Sequence, residues 1–259
     1  GWEELHVTAP GDGEIGDRGA SRWKGAGAGV PEKRERGQVL RPGWGHYQLY
    51  GSRKMTGPKG YEDSGDHKTV RHAVDALPEL ATSGDPWCLF AGPTGPHDPF
   101  IVPERFAGKY DPADVQLPPS FRDRMADKPR IYQRQRQQYW DQLSEDEVRE
   151  SIAHYWGYCT MMDEMFGEVL AALDATGQAD NTLVIRTSDH GDYCAAHGLY
   201  CKGVGSFREA YHIPLAVRWP NGIDTAGREV SALTNVMDFA PTFLDLAGIE
   251  TVPEGVAGQ

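Results

Sequence analysis

The chain has 259 residues, with 38 acidic and 26 basic side chains and a formal charge of −12. That length suits one large domain or two small ones. The charge argues against a nucleic-acid partner, whose phosphates require a basic surface, and against an anionic membrane surface. An anionic small substrate stays open, because a metal or a few local cations can dominate a site's field.

Residues 1–65 are rich in glycine and poor in periodicity, and read as an irregular loop region. The run "GDGEIGDRGASRWKGAGAGVPEKRERG" (Gly11–Gly37) offers no apolar face to bury. Its basic stretch, Glu32–Arg36, is interrupted by acids and reads as a solvated loop. Residues 66–259 are expected to carry the ordered part. In "DHKTVRHAVDALPEL", Val70, Ala73, Val74, Leu77 and Leu80 fall at helical spacing, with Asp66 a candidate N-cap. Trp87–Ala91 reads as a short buried strand, broken by a Gly-Pro-rich loop that carries His97 and Asp98. Proline and charge make Ile101–Leu143 a series of surface excursions.

"SEDE" (Ser144–Glu147) is a capping box, in which the serine hydroxyl and the glutamate carboxylate satisfy exposed amides reciprocally. A long helix should follow, with Ile152, Tyr155, Cys159, Met162, Phe166, Val169 and Leu173 on one face and Gly177 beyond its end. "TLVIRT" (Thr182–Thr187) and "IPLAVRW" (Ile213–Trp219) read as buried strands. "MDFAPTFLDLAG" closes with a helix stopped by Gly248. Buried strands alternating with amphipathic helices predict an α/β fold with a largely parallel mixed sheet flanked by helices. Trp87–Ala91, Thr182–Thr187 and Pro214–Arg218 should then share one sheet, with His97 and Asp189 at the same edge.

Of the four cysteines, none forms a CxxC pair, which excludes a zinc ribbon or a thioredoxin-type site. Cys88 and Cys159 lie in apolar runs and are expected to be buried. Cys194 and Cys201 flank a polar cluster, "TSDHGDYCAAHGLYCKG" (Thr187–Gly203), and read as bystanders rather than a disulfide or ligands. No signal peptide opens the chain and no apolar run is long enough to span a bilayer, which leaves the compartment open.

The polar cluster follows a strand, where α/β proteins keep their chemistry. Asp189 and His190 pair a carboxylate with an imidazole, a set that suits a divalent ion of intermediate hardness. Lys202 beside such an ion makes sense if both face an anion. His97 is placed to protonate a leaving oxygen. Taken singly, an Asp-His pair is more often a capped turn, a lysine a surface residue, and His97 and His197 satisfied loop histidines.

The combination of motifs resembles the sulfatases of the alkaline phosphatase superfamily. "SDHGDYCAAHGLYCKG…REAYHIPLAVRWP" resembles the family's S-D-[HN]-G strand end, its following lysine and the next strand. "PWCLFAGPTGPHDPFIVPERFAGKYDP" resembles the strand and P-H-x-P-[FY] loop. "YWGYCTMMDEMFGEVLAALDATGQADNTLVIRTSDHG" resembles the helix before the metal strand, "NVMDFAPTFLDLAGI" a later helix, and "GWEEL" an opening segment. The resemblance implies hydrolysis of a small-molecule sulfate monoester. Asp189 and His190 would bind a divalent ion (calcium, or magnesium or manganese), and Lys202 and His97 would bind the substrate and act on it. The S-D-H-G form resembles the branch of choline and iduronate-type sulfatases and phosphonate monoester hydrolases. A phosphodiester or phosphonate monoester hydrolase, or a non-catalytic truncated homologue, are the alternatives.

This chain departs from the family in several respects that bear on activity. The family's nucleophile is a formylglycine made from a C-x-[PA]-S-R motif, and no cysteine here has that context. The family's first Asp-Asp metal pair and its G-K-W-H segment are absent as well. The resemblance therefore implies a central and C-terminal portion of the catalytic domain, inactive alone, with a homo-oligomer or a complementing N-terminal segment as the expected partner.

Overall fold

The computed structural model describes residues 33–41, 44–203, 205–224, 227–249 and 258. "GWEEL" lies outside them. The chain divides into two units, the first holding residues up to Asp180 together with His190–Ile213, the second Asn181–Asp189 together with Pro214 onward.

The first unit opens with strands β1 (Gln38–Arg41) and β2 (Gly45–Gln48), paired antiparallel with Val39 opposite Tyr47. Strand β3 (Tyr50–Arg53) then pairs in parallel with β4 (Phe100–Pro103), Tyr50 opposite Phe100. Strands β1–β3 occupy sequence whose glycine content suggests irregular chain. The alternation of buried Gly45, Tyr47 and Leu49 with half-buried His46 and Gln48 is the signal that marks them.

Helix α1 spans Gly65–Thr82. Its N-cap is Ser64, whose hydroxyl accepts from the His67 amide at 3.1 Å, rather than Asp66. Residues 101–143 are not mere excursions. They hold the rest of β4, the single-turn helix α2 (Glu104–Ala107) and helix α3 (Arg130–Gln138), and they bury Phe106, Val115, Met125, Trp140 and Leu143. Prolines punctuate this region, but its apolar residues are spaced to reach the core one at a time.

Helix α4 (Glu145–Ala175) is the spine of the unit. The capping box forms as the sequence predicts, and Gly177 takes φ +72° just beyond the end. One group of buried side chains, including Tyr61, Val70, Phe106, Tyr158 and Met165, packs between α1, α2 and α4. Another, including Val39, Leu49, Phe100, Ile152, Tyr193 and Tyr200, packs beneath β1–β4 and the polar cluster. Gly157 sits where α4 meets α2, and a Cβ there would run into the Phe106 carbonyl.

Arg34 and Arg36 are not simply solvated. Both Arg34 terminal nitrogens donate to the Glu147 carboxylate, at 2.5 and 2.6 Å, and Arg36 pairs with Glu150 at 2.6 Å. Burial would push the Glu147 carboxyl up from its ordinary 4.5. The Arg34 guanidinium and the Ser144 and Gly37 amides outweigh that and hold it at about 2. Because the folded value lies below the unfolded one, the stabilisation is complete above about pH 4.5 and fades as the pH falls towards 2. Acid titrations of the native chain and Glu147→Gln should therefore differ at pH 6 by about 1–3 kcal/mol and converge near pH 2. A constant difference across that range would remove Glu147 from the acid response.

The second unit begins with strand β5 (Val184–Thr187), paired antiparallel with β6 (Leu215–Arg218), Val184 opposite Arg218. Helix α6 (Phe239–Leu246) follows, with Gly248 at φ +70° after it. A further single-turn helix, α5 (Arg208–Tyr211), belongs to the first unit.

The α/β class stands, and three details of the predicted sheet differ. β5 is at most half-buried and β6 is exposed throughout, since a two-stranded ribbon supplies no second layer to cover a face. Trp87–Ala91 forms no strand among the described residues, and Cys88 is exposed rather than buried. Phe90 is 90% exposed. Apolar composition marks a segment suited to a sheet, but ladder bonds from neighbours make it one. The three segments thus do not share one described sheet, and His97 and Asp189 fall in different units.

Candidate functional site

The loop before β4 brings His97 to the site. Its amide donates to the Thr94 carbonyl at 3.2 Å, closing a turn. Phe100, fully buried, anchors the loop's far end, and its amide donates to Leu49 at 2.7 Å. The ring nitrogen Nδ1 of His97 faces the Asp98 carbonyl at 2.7 Å and the Asp98 carboxylate at 3.1 Å. Both partners only accept, so Nδ1 carries the proton. The other ring nitrogen, Nε2, then accepts from the Lys202 ammonium. Asp98 is 5% exposed, and its second oxygen takes the Tyr47 hydroxyl. A buried carboxylate, an oriented imidazole and an ammonium thus stand in line.

The loop that delivers Lys202 is tightly folded. Asp192 Oδ1 accepts from the Cys194 amide at 2.7 Å and the Cys201 amide at 3.1 Å, drawing the two ends together. The Tyr193 amide donates to Cys201 at 3.0 Å, and the Ala195 amide to Leu199 at 2.8 Å. Four residues that are not glycine (Cys194, Ala195, His197 and Cys201) hold φ between +41° and +74°. Such left-handed backbone costs about 1–3 kcal/mol each and tends to cluster at functional sites. It persists here because Tyr193, Leu199 and Tyr200 are locked into the core beneath.

The Asp192 carboxyl is pushed up to about 7, chiefly by burial and further by the Asp98 charge, against the pull of its two amides. Burial also raises the Cys194 and Cys201 thiols, and no disulfide joins any of the four cysteines. Thiols held protonated in this way are poor nucleophiles, which fits their reading as bystanders. One ligand atom each from Asp98, Asp192 and Cys201 lies within 4.8 Å of the others. That trio differs from the Asp189–His190 pair read from the sequence, and its carboxylates already serve Tyr47, His97 and two backbone amides.

His190 stands beside His97, with ring centroids 6.2 Å apart at 72°. Its Nδ1 donates to the Gly191 carbonyl at 2.9 Å, which directs Nε2 away from that carbonyl as the ligand-type nitrogen. The Gly191 amide donates to Ala210 at 2.8 Å, and a Cβ at 191 would run into the Glu209 carbonyl. Only glycine allows that approach. Asp189 is exposed in the second unit, where one oxygen accepts from the Ser188 hydroxyl at 3.4 Å. His197 is a satisfied loop histidine, bonded to Asp123 at 2.8 Å and stacked on Phe207 at 3.8 Å.

The first unit therefore brings together His97, Lys202 and His190. Residues 31–249 match the sulfatase family profile. This chain belongs to the sulfatase family. It is 32% identical over 197 residues to the uncharacterized sulfatase YidJ of Escherichia coli K12, a match covering 74% of this chain and 38% of that protein. It is 29% identical over 242 residues to a choline-sulfatase of Rhizobium meliloti, covering 85% and 44%. Among solved structures, the phosphonate monoester hydrolase of Silicibacter pomeroyi superposes with a TM-score of 0.68 at 28% identity, over 82% of this chain and 45% of that one. The sulfatase chain thus spans less than half the length of these relatives.

Sequence reasoning singles out His97 and Lys202 as candidates but gives no role to Tyr47, Asp98 or Asp192, whose hydrogen bonds orient the candidates' loops. Asp98 could have been found as the neighbour of His97 in "GPHDP". Nothing local marks Tyr47, which reaches the site from β2. Among the described residues, no helix is long and apolar enough to cross a membrane.

Proposed function

We propose that His97, Lys202 and His190 of the first unit form part of a sulfatase active site that hydrolyses sulfate monoesters. The contact between the Lys202 ammonium and His97 Nε2, with Asp98 behind the ring, carries this reading. A sulfate group entering beside Lys202 meets a cation that offsets the charge of its non-bridging oxygens. The ester oxygen then faces His97. Asp98 holds the Nδ1 proton and sets the direction of the ring, so that Nε2 can pass a proton taken from solvent to the departing alkoxide.

The donor chemistry of Asp189 and His190, one carboxylate and one imidazole with its Nδ1 already engaged, fits a divalent ion such as calcium, magnesium or manganese. When bound, that ion supplies further positive charge at the sulfate oxygens.

The phosphonate monoester hydrolase likeness favours a second reading, in which the same cradle holds a phosphonate monoester. Activity of a protein that carries this chain and a formylglycine should be compared on 4-nitrophenyl sulfate and on a 4-nitrophenyl phosphonate monoester. A larger kcat/KM for the sulfate is expected, and the reverse order would give the site to phosphonates. Cys88, Cys159, Cys194 and Cys201 lack the maturation motif. The 259-residue chain alone should therefore hydrolyse 4-nitrophenyl sulfate at background rate. Metal-dependent turnover abolished by Asp189→Ala would contradict this.

A further inference from the structure

Asp66 lies in the first turn of α1, remote in sequence from every residue given a role above, and is only 7% exposed. Its position there is favourable for a carboxylate, because the helix N-terminus carries partial positive charge. Yet the carboxylate does not cap its own helix, since Ser64 does that. Instead Oδ1 accepts from two amides of the His97 loop, Thr94 at 2.8 Å and Gly95 at 2.9 Å. Oδ2 accepts from the Tyr158 hydroxyl of α4 at 2.8 Å. Tyr158 and Met162 also press against Gly95 so closely that a Cβ there would clash with both. One buried charge therefore ties two helices to the turn whose last residue is His97.

From this geometry we infer that Asp66 is a positioning residue for His97: it fixes the Thr94–His97 turn so that the imidazole meets Lys202. The inference rests on the reading of His97 as a site residue. A carboxylate accepting two adjacent amides sets both the place and the direction of the backbone, while Phe100 fixes only the other end. Without it, the turn keeps its apolar contacts but loses the charge-assisted bonds that define its register.

The test uses the full chain, labelled with ¹⁵N. Exchange of the Thr94 and Gly95 amides should be about 10- to 100-fold faster in Asp66→Ala than in the native protein. In Asp66→Asn, which keeps a neutral acceptor, the rate should be intermediate. The α4 core amides of Met161 and Met165 should be unchanged. Carbethoxylation of His97 should accelerate in the same graded order as Lys202 leaves Nε2, while that of the exposed His72 on α1 holds constant. If Asp66→Ala does not fold, the step from Asp to Asn decides. Equal protection in those two forms, or uniform acceleration that includes Met161 and Met165, would overturn the tether. Neither readout needs a ligand. Failure of the site reading would appear separately, as inorganic sulfate binding left unaltered by His97→Ala.

Discussion

Replacing Lys202 by alanine is expected to weaken binding of inorganic sulfate to this chain by about 10- to 100-fold, the loss of one charge-assisted contact. In a protein that also carries the nucleophile, kcat/KM for a sulfate monoester should fall by about 10²–10³, as it does when one preorganised donor to a developing negative charge is removed. Stability should barely change. Lys202 is half-buried, its stem is held by a loop whose anchors lie at other residues, and its partner is a neutral histidine nitrogen. Calorimetric titration with sulfate and a thermal melt on the same sample separate the two effects. Lys202→Arg keeps the charge but offers a planar fork in place of a compact ammonium, so it should recover binding only in part. Unchanged sulfate affinity in Lys202→Ala would take the residue out of the site.

The largest loss of stability is expected from Tyr200→Ala. Tyr200 is 1% exposed, with its ring 5.2 Å from that of Trp140 and 6.5 Å from that of Phe100. Its hydroxyl shares a 2.6 Å hydrogen bond with Ser151, which is itself fully buried on α4. Truncation leaves a ring-sized cavity, at a cost of about 3–5 kcal/mol, while the Ser151 hydroxyl keeps its bond to the Val148 carbonyl. Tyr200→Phe keeps the ring and should cost only about 0.5–1.5 kcal/mol. Urea titrations of the three proteins would measure both differences. The alanine variant should also lose sulfate affinity, because residue 200 is the last core anchor before Lys202. A cost for Tyr200→Ala no larger than that for Tyr200→Phe would mean that the loop repacks without it.

Much of this was legible in the sequence, and the reasons differ by residue. The long helix was, because a capping box and a stop glycine are local signals that packing has no need to override. His97, His190 and Lys202 stand out as candidates because they lie in segments with distinctive neighbours. The β1–β3 region was not, since short strands among glycines give only a few alternations to read. Trp87–Ala91 and β6 show the opposite failure. Their apolar composition predicts burial, but burial depends on what lies alongside, and composition carries no record of that. Asp66 was misplaced by two residues as a cap. A carboxylate at a helix start fits either role, and only the position of the Thr94 and Gly95 amides decides between them.

Arg136 carries one last consequence. Its guanidinium is buried, donating to Asp141 at 2.8 Å and to the carbonyls of Phe121, Asp123 and His197 at 2.8, 2.6 and 3.0 Å. It lies flat against Gly198, where a Cβ would overlap it, and Gly198 holds φ +66°. Because those four acceptors pin the arginine, it has no room to swing aside. Positions 136 and 198 are therefore not free to drift separately over evolutionary time. A lineage that gains a side chain at 198 has to lose the arginine first, and the lysine-bearing loop then needs a different buttress. Substitution at these two positions should be correlated across homologues, with glycine at 198 wherever arginine occupies 136.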